Sequence, residues 1–223
     1  QTFKHEIDLS GLGDPSTTSK PFGATYNKVN GLLYVAIAGS FAANNNVVAV
    51  IDPATDLVVA TIPVGLFPED IAFDSTTGDG AVTNSTSGSV TFFDSSNSVL
   101  STLQLPDPFG IGSCYPFGIT YHDGHYFVGT VDGSGEVYAI DATTRTLAPS
   151  YGFATNYKSI GRMTVKSSKL LVTTTEYNST WSGATGGVYA QEIFGASTGR
   201  QINYVTQENL GTYPSASDMT PAI

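Results

Sequence analysis

Pro68-Glu69-Asp70-Ile71-Ala72-Phe73-Asp74, then Gly80-Ala81-Val82-Thr83-Asn84, then Ser89-Val90-Thr91-Phe92-Phe93-Asp94 read as three short strands separated by turns. Each run is rich in β-branched and aromatic residues and is bounded by Gly, Asp, Ser or Thr. The lead-in returns as Pro21-Phe22-Gly23-Ala24-Thr25-Tyr26-Asn27 and as Tyr115-Pro116-Phe117-Gly118-Ile119-Thr120-Tyr121. It returns in degenerate form as Ser159-Ile160-Gly161-Arg162-Met163-Thr164-Val165, and again as Tyr213-Pro214-Ser215-Ala216-Ser217-Asp218-Met219. The interval is roughly 45 residues, and a fixed period of that size marks a repeat architecture.

The same series follows each lead-in. A second strand comes at Leu32 to Ile37, Ala81 to Ser85, Tyr126 to Val131 and Leu170 to Thr175. A third ends in an acid: Val47 to Asp52, Val90 to Asp94, Glu136 to Asp141 and Gly187 to Glu192. A fourth closes the unit at Leu57 to Val64, Val99 to Leu105, Leu147 to Phe153 and Ile202 to Val205. Asn30-Gly31, Asp79-Gly80 and Asp123-Gly124 read as hairpin turns, because these residues tolerate positive φ. No segment has sustained helical periodicity. Four antiparallel strands per repeat predict an all-β chain, a β-propeller of four-stranded antiparallel blades.

The blades fall at residues 21–64, 68–105, 116–153 and 160–210. Residues 213–223 and 3–9 read as strands of an incomplete closing blade. Ile71, Phe73, Ile119, Tyr121, Met163 and Val165 alternate along the first strands and are expected to pack between blades. An open four-blade arc would leave apolar blade faces uncovered. The expectation is therefore a longer chain of six or seven blades. Completion by another chain and a compact five-bladed form are the alternatives.

Ala81-Val82-Thr83-Asn84, preceded by Pro68-x-x-Ile71-Ala72-Phe73 and followed by Phe93-Asp94, resembles the propeller repeats named for their Tyr-Val-Thr-Asn motif. Tyr34-Val35-Ala36-Ile37, Phe127-Val128-Gly129-Thr130 and Leu171-Val172-Thr173-Thr174 hold the same place with less identity. Such repeats occur in archaeal and bacterial surface proteins and grade into a six-bladed group that includes lactonases. The resemblance implies a fold, and a fold hosts many functions.

The net charge is −10, with nine Lys plus Arg. Phosphates require Lys and Arg, so nucleic acid is a poor partner. No apolar run approaches the ~20 residues of a membrane span. Abundant Ser, Thr, Asn, Gly and Tyr with little Lys or Glu point to a secreted or cell-surface protein. Asn84-Ser85-Thr86 and Asn178-Ser179-Thr180 are glycan acceptor triplets, whose other reading is chance in a chain of this composition. Cys114 has no partner in the chain, so it is either a free buried thiol or one that pairs outside it.

Glu69 and Asp70 stand where a first strand begins, the end that borders the channel mouth in propellers. Arg162 and Asp218 hold comparable places, and Asn84 ends a second strand. These residues read first as polar groups that solvate the channel. In the lactonase-like group, Glu, Asn and Asp hold a divalent cation that polarises the lactone carbonyl. That resemblance implies Glu69, Asn84 and Asp218 as catalytic or metal-holding residues, with Ca²⁺ as the ion. The Glu-Gly-Pro opening of that group is missing, because Pro21-Phe22-Gly23 stands there. A channel-facing Asn84 would carry no glycan, so the two readings of this residue exclude each other.

His122-Asp123-Gly124-His125 offers metal-ligand types, but its spacing matches no closed tetrahedral site, and a turn with flanking rim histidines is preferred. His5 reads as a surface residue. Trp181 lies in a polar loop, where an exposed rigid ring can contact a sugar or a protein, or else fold over its own blade. Trp181, Asp70 and Arg162 are the candidate binding residues, with Asn44 to Asn46 beside them. The function predicted is a secreted or cell-surface binding and structural module with no resident cofactor. Its partner would be a glycan, a surface protein or further copies of itself. The alternatives are a metal-dependent lactonase or esterase and a subunit of an extracellular filament or surface layer.

Overall fold

The computed structural model describes residues 6–12, 20–39, 46–155, 159–166, 169–177, 184–192 and 204–213. The first sheet holds β1 (Lys20–Asn27), β2 (Leu32–Ala38), β3 (Val47–Asp52) and β4 (Leu57–Pro63). The second holds β5 (Pro68–Phe73), β6 (Gly80–Asn84), β7 (Ser89–Phe93) and β8 (Val99–Gln104). The third holds β9 (Pro116–His122), β10 (His125–Thr130), β11 (Glu136–Asp141) and β12 (Phe153–Ala154). The fourth holds β13 (Ser159–Lys166), β14 (Lys169–Tyr177), β15 (Ala184–Glu192) and β16 (Tyr204–Tyr213). Each sheet is an antiparallel meander of consecutive strands, and no described residue is helical. The chain is all-β, with four-stranded antiparallel sheets arranged as propeller-like blades.

The chain divides into two compact units, Gln1–Leu105 and Pro106–Ile223. In the first unit, Tyr34, Ala36, Val48, Val50 and Ile62 of one sheet meet Ile71, Val82 and Phe93 of the next. Phe73 packs at the edge of this core, with its ring 4.7 Å from that of Tyr34. The alternate residues Val35, Ile37, Ala49 and Ile51 form the other face of the first sheet. Ile7, Leu9 and Leu12 pack there, so the N-terminal segment covers a blade face. Residues 6–9 are not a strand, contrary to the sequence reading, and act as a cover instead. In the second unit Phe127, Val137, Ala139, Ile160, Leu170 and Val172 form one core, with Met163 and Val165 against it.

The terminal acids of the third strands have a local cause. Asp52, Asp94 and Asp141 each turn a carboxylate onto the backbone N–H two residues on, at 2.8, 2.9 and 3.0 Å, which starts the turn. Asp123 (φ 45°) and Gly124 (φ 77°) form the predicted two-residue hairpin, with His122 paired to His125. Gly80 differs from its reading. It is the first residue of β6, and a Cβ there would strike the rings of Phe93 and Phe73, so it provides room rather than a turn. Tyr213, read as opening a further inner strand, pairs with Ala184 at the end of β16.

The fourth strand of the third sheet is only Phe153–Ala154. Leu147 bridges Ile140 and the Ala148 N–H reaches the Ala139 carbonyl at 2.8 Å, but Pro149 follows, and it has no N–H to donate. The chain turns at Ala148–Tyr151 and rejoins the sheet two residues later.

Candidate functional site

Among the described residues, the first strand of each sheet carries a bulge at the same place. Register shifts fall between Pro21 and Ala24, between Pro68 and Ile71, opposite Val128–Thr130, and between Ile160 and Met163. The bulged pairs are Phe22-Gly23, Glu69-Asp70, Phe117-Gly118 and Gly161-Arg162. A bulge re-aims two side chains and sharpens the local twist. Every polar residue predicted at a strand start that lies among the described residues, other than Asn84, therefore sits on a bulge.

In the first unit the two bulges touch. A Cβ on Gly23 would collide with the Glu69 carbonyl oxygen and lie 2.9 Å from Asp70 Cα. Glu69 and Asp70 are consequently buried. The Asp70 N–H donates to Thr83 Oγ1 at 3.1 Å, and Asp70 Oδ1 accepts from the Ile71 N–H at 3.0 Å. Asn84 pairs with Pro68 across the sheet and is fully buried. Its Nδ2 donates to Ser89 Oγ at 3.1 Å and to Thr91 Oγ1 at 2.9 Å, beneath Gly65. That nitrogen is the atom a glycan would need, so the folded chain presents no acceptor at Asn84. Asn84 Oδ1 is buried and has no hydrogen-bond partner.

In the second unit Gly118 meets the Gly161 carbonyl and Arg162 Cα in the same way. The Arg162 guanidinium lies 5.5 Å from the centre of the Phe117 ring, a cation–π arrangement. His125 is buried, its Nδ1 donates to the Asp123 carbonyl at 2.9 Å, and its ring lies 4.2 Å from that of Tyr151. Among the described residues, no three His, Cys, Asp or Glu side chains are grouped to hold a metal. Ca²⁺ takes six to eight oxygen ligands, and the described candidates Glu69 and Asn84 do not supply them by themselves. Trp181, Asn178, Asp218, Asn44 and Asn45 lie outside the described residues.

Sequence reading missed a different place. The break in β12 leaves a cleft of ≈ 290 Å³ beside β11, lined by Val137, Ala139, Leu147 and Phe153, with Glu136 and Tyr138 as its polar groups. The Tyr138 hydroxyl lies 3.4 Å from the Pro106 carbonyl. Burial raises the Glu136 pKa, and Asp132 raises it further. Burial also raises Tyr138, as do Cys114, Glu136, Asp132 and Asp107. Cys114 is a buried free thiol, pushed up to about 12 by burial and by the two aspartates. Asp132 Oδ1 accepts from Thr130 Oγ1, the Ser134 N–H and Ser134 Oγ, and Asp107 Oδ2 accepts from the Gly112 N–H at 2.7 Å. The other oxygen of each aspartate is buried without a partner. Pro149, inside an expected edge strand, was the one signal that could have revealed this cleft.

The Asp107–Gly112 bond also shapes the loop before β9. That loop presents Phe109 (50 % exposed) and Ile111 (54 %), and Tyr115 and Val131 are partly exposed nearby in sequence and pairing, joined by the Val131 N–H to the Tyr115 carbonyl.

Fold and bulges together define a propeller-like all-β protein built from four-stranded blades. No family model matches the chain, and no curated protein matches it. Among solved structures it is similar to Kuenenia stuttgartiensis hydrazine synthase, with a TM-score of 0.63 and 16% identity over 85% of this chain and 49% of that one. It is also similar to a functionally unknown protein from Desulfotomaculum acetoxidans DSM 771, with a TM-score of 0.56 and 15% identity over 86% of this chain and 56% of that one. The chain thus spans about half the length of these structures, and the likeness is one of fold. Among the described residues, no helix is long and apolar enough to cross a membrane.

Proposed function

We propose that this chain is a secreted or cell-surface propeller of the Tyr-Val-Thr-Asn repeat type that serves as a binding and structural interaction module. The observation that supports it is the loop before β9. Asp107 fixes the loop's backbone while Phe109 and Ile111 stand half exposed. Adjacent large apolar side chains held out on a braced loop suit contact with a partner, because the ordering cost is met before binding. The partner is a surface protein, a glycan or another copy of the chain. Sedimentation velocity over a concentration series, with a glycan array and a surface-protein extract array beside it, tests this. The wild type associates or binds, and the Phe109→Ser/Ile111→Ser double variant does not. Equal behaviour of the two proteins in all three assays would sink the reading.

The second reading is a Ca²⁺-assisted lactone or ester hydrolase using Glu69, Asn84 and Asp218. It draws support from the buried, donor-free Asn84 Oδ1, an oxygen of the kind such an ion takes. Added Ca²⁺ would then raise the Tm of the wild type and leave that of Asn84→Ala unchanged. Identical Tm values with Ca²⁺ and with a chelator exclude it.

A further inference from the structure

We propose that the cleft between β11 and the interrupted strand β12 receives a lysine or arginine side chain from a partner protein, with the cationic head at Glu136 and Tyr138 and the aliphatic stem against Leu147, Pro149 and Phe153. This rests on the interaction-module reading and names the chemistry of the partner. At ≈ 290 Å³ the cleft lies at the lower end of ligand-pocket sizes, enough for one long side chain and too small for an extended glycan. Its lining includes Pro106, Leu147, Pro149 and Phe153, which suits a methylene stem.

The head-group preference comes from charge. Glu136 lines the cleft, and Asp132 and Asp107 stand within electrostatic reach of the Tyr138 phenol that lines it too. The charges acting on Glu136 and Tyr138 are all negative. Asp107 and Asp132 do not line the slot, but they add to the negative field at it. The Glu136 carboxylate and the Tyr138 phenol oxygen at an apolar slot complement an ammonium or guanidinium. They do not group as a metal site. Pro106 and Asp107 link the slot to the braced loop, so an inserted side chain and an apolar contact on Phe109 and Ile111 could belong to one partner segment.

The test follows backbone amide shifts of the whole chain by NMR. The probes are Nα-acetyl-lysine methylamide, its arginine and norleucine counterparts, and n-butylammonium. The lysine and arginine probes should shift residues 136–139 and 147–153 with millimolar affinity. Norleucine, which has the stem without the charge, should bind about tenfold more weakly, and Glu136→Gln should weaken the lysine probe by about the same factor. Equal binding of norleucine, an unaffected Glu136→Gln, or no shifts at these residues would overturn the proposal. So would n-butylammonium binding as tightly as the lysine derivative, which would make the slot a site for free amines. Failure here leaves the Phe109→Ser/Ile111→Ser result untouched, so the two readings fail separately.

Discussion

Asn84, read from the sequence as a candidate site residue, also holds the second sheet together. Its amide joins two hydroxyls inside the second sheet, and Asn84→Ala should cost about 1–3 kcal/mol, read as a drop in Tm. Mass spectrometry of the protein made in a glycosylating host should find no glycan at this residue, whose Nδ2 is bonded inside the sheet. Cys114 gives a second check. Its thiol should resist iodoacetamide at mildly alkaline pH and react once urea exposes it. The folded chain holds that proton to about 12, against the ordinary value of 9.0. The stability it contributes is therefore intact below about pH 9 and is lost as the pH rises toward about 12. Glu136 works in the same direction at lower pH. Its folded pKa is raised above 4.5, so its contribution fades as the pH rises through that region and the ionised form is a burden at neutrality. Glu136→Gln should be more stable than the wild type in urea at neutral pH, with the advantage vanishing in acid. The sequence showed these residue types but not their surroundings, because burial depends on which strands close over them.

The bulges carry the main lesson among the elements. Pro-x-Gly at Pro21 and Pro116 was legible as a lead-in, but the reason for the glycine was not. Gly23 and Gly118 stand where one inner strand lies against the backbone of the next, with no room for a Cβ. Gly23→Ala and Gly118→Ala should each cost about 1–3 kcal/mol or more, and urea midpoints would measure it. The loss should be larger than for alanine at Gly124, whose Cβ would meet nothing within 4 Å. Gly124 has a positive φ, so only the modest cost of that turn applies there. Glu69 and Asp70 were legible as charges at a strand start and drew a reading of channel-mouth carboxylates. Their burial follows from a register shift against β6, and alternation along a single strand does not reveal a shift in pairing. The interrupted β12 escaped for a similar reason, because its apolar residues keep a strand-like composition on both sides of Pro149.

For the whole molecule, the repeat of roughly 45 residues carried the all-β, four-strand organisation, since closing such a unit leaves few other solutions. What lay beyond it was the use of the N-terminal segment. Ile7, Leu9 and Leu12 shield Val35, Ile37, Ala49 and Ile51, and these side chains are only partly buried. Removing residues 1–12 should lower stability by about 2–4 kcal/mol and raise binding of a hydrophobic dye, with a tendency to aggregate. Unchanged dye binding would show that the cover is dispensable. The matching bulges also set how closely neighbouring sheets approach. Lys20–Asn27 and Pro116–His122 share Pro, Phe, Gly, Thr and Tyr in register, whereas the inner strands between and after them carry Glu69-Asp70 and Gly161-Arg162 instead. In each unit a glycine at one bulge, Gly23 or Gly118, makes room for the backbone of the next, where Asp70 or Arg162 carries a side chain. Two missing side chains therefore set the spacing between paired sheets, and a methyl group at either would act as a wedge.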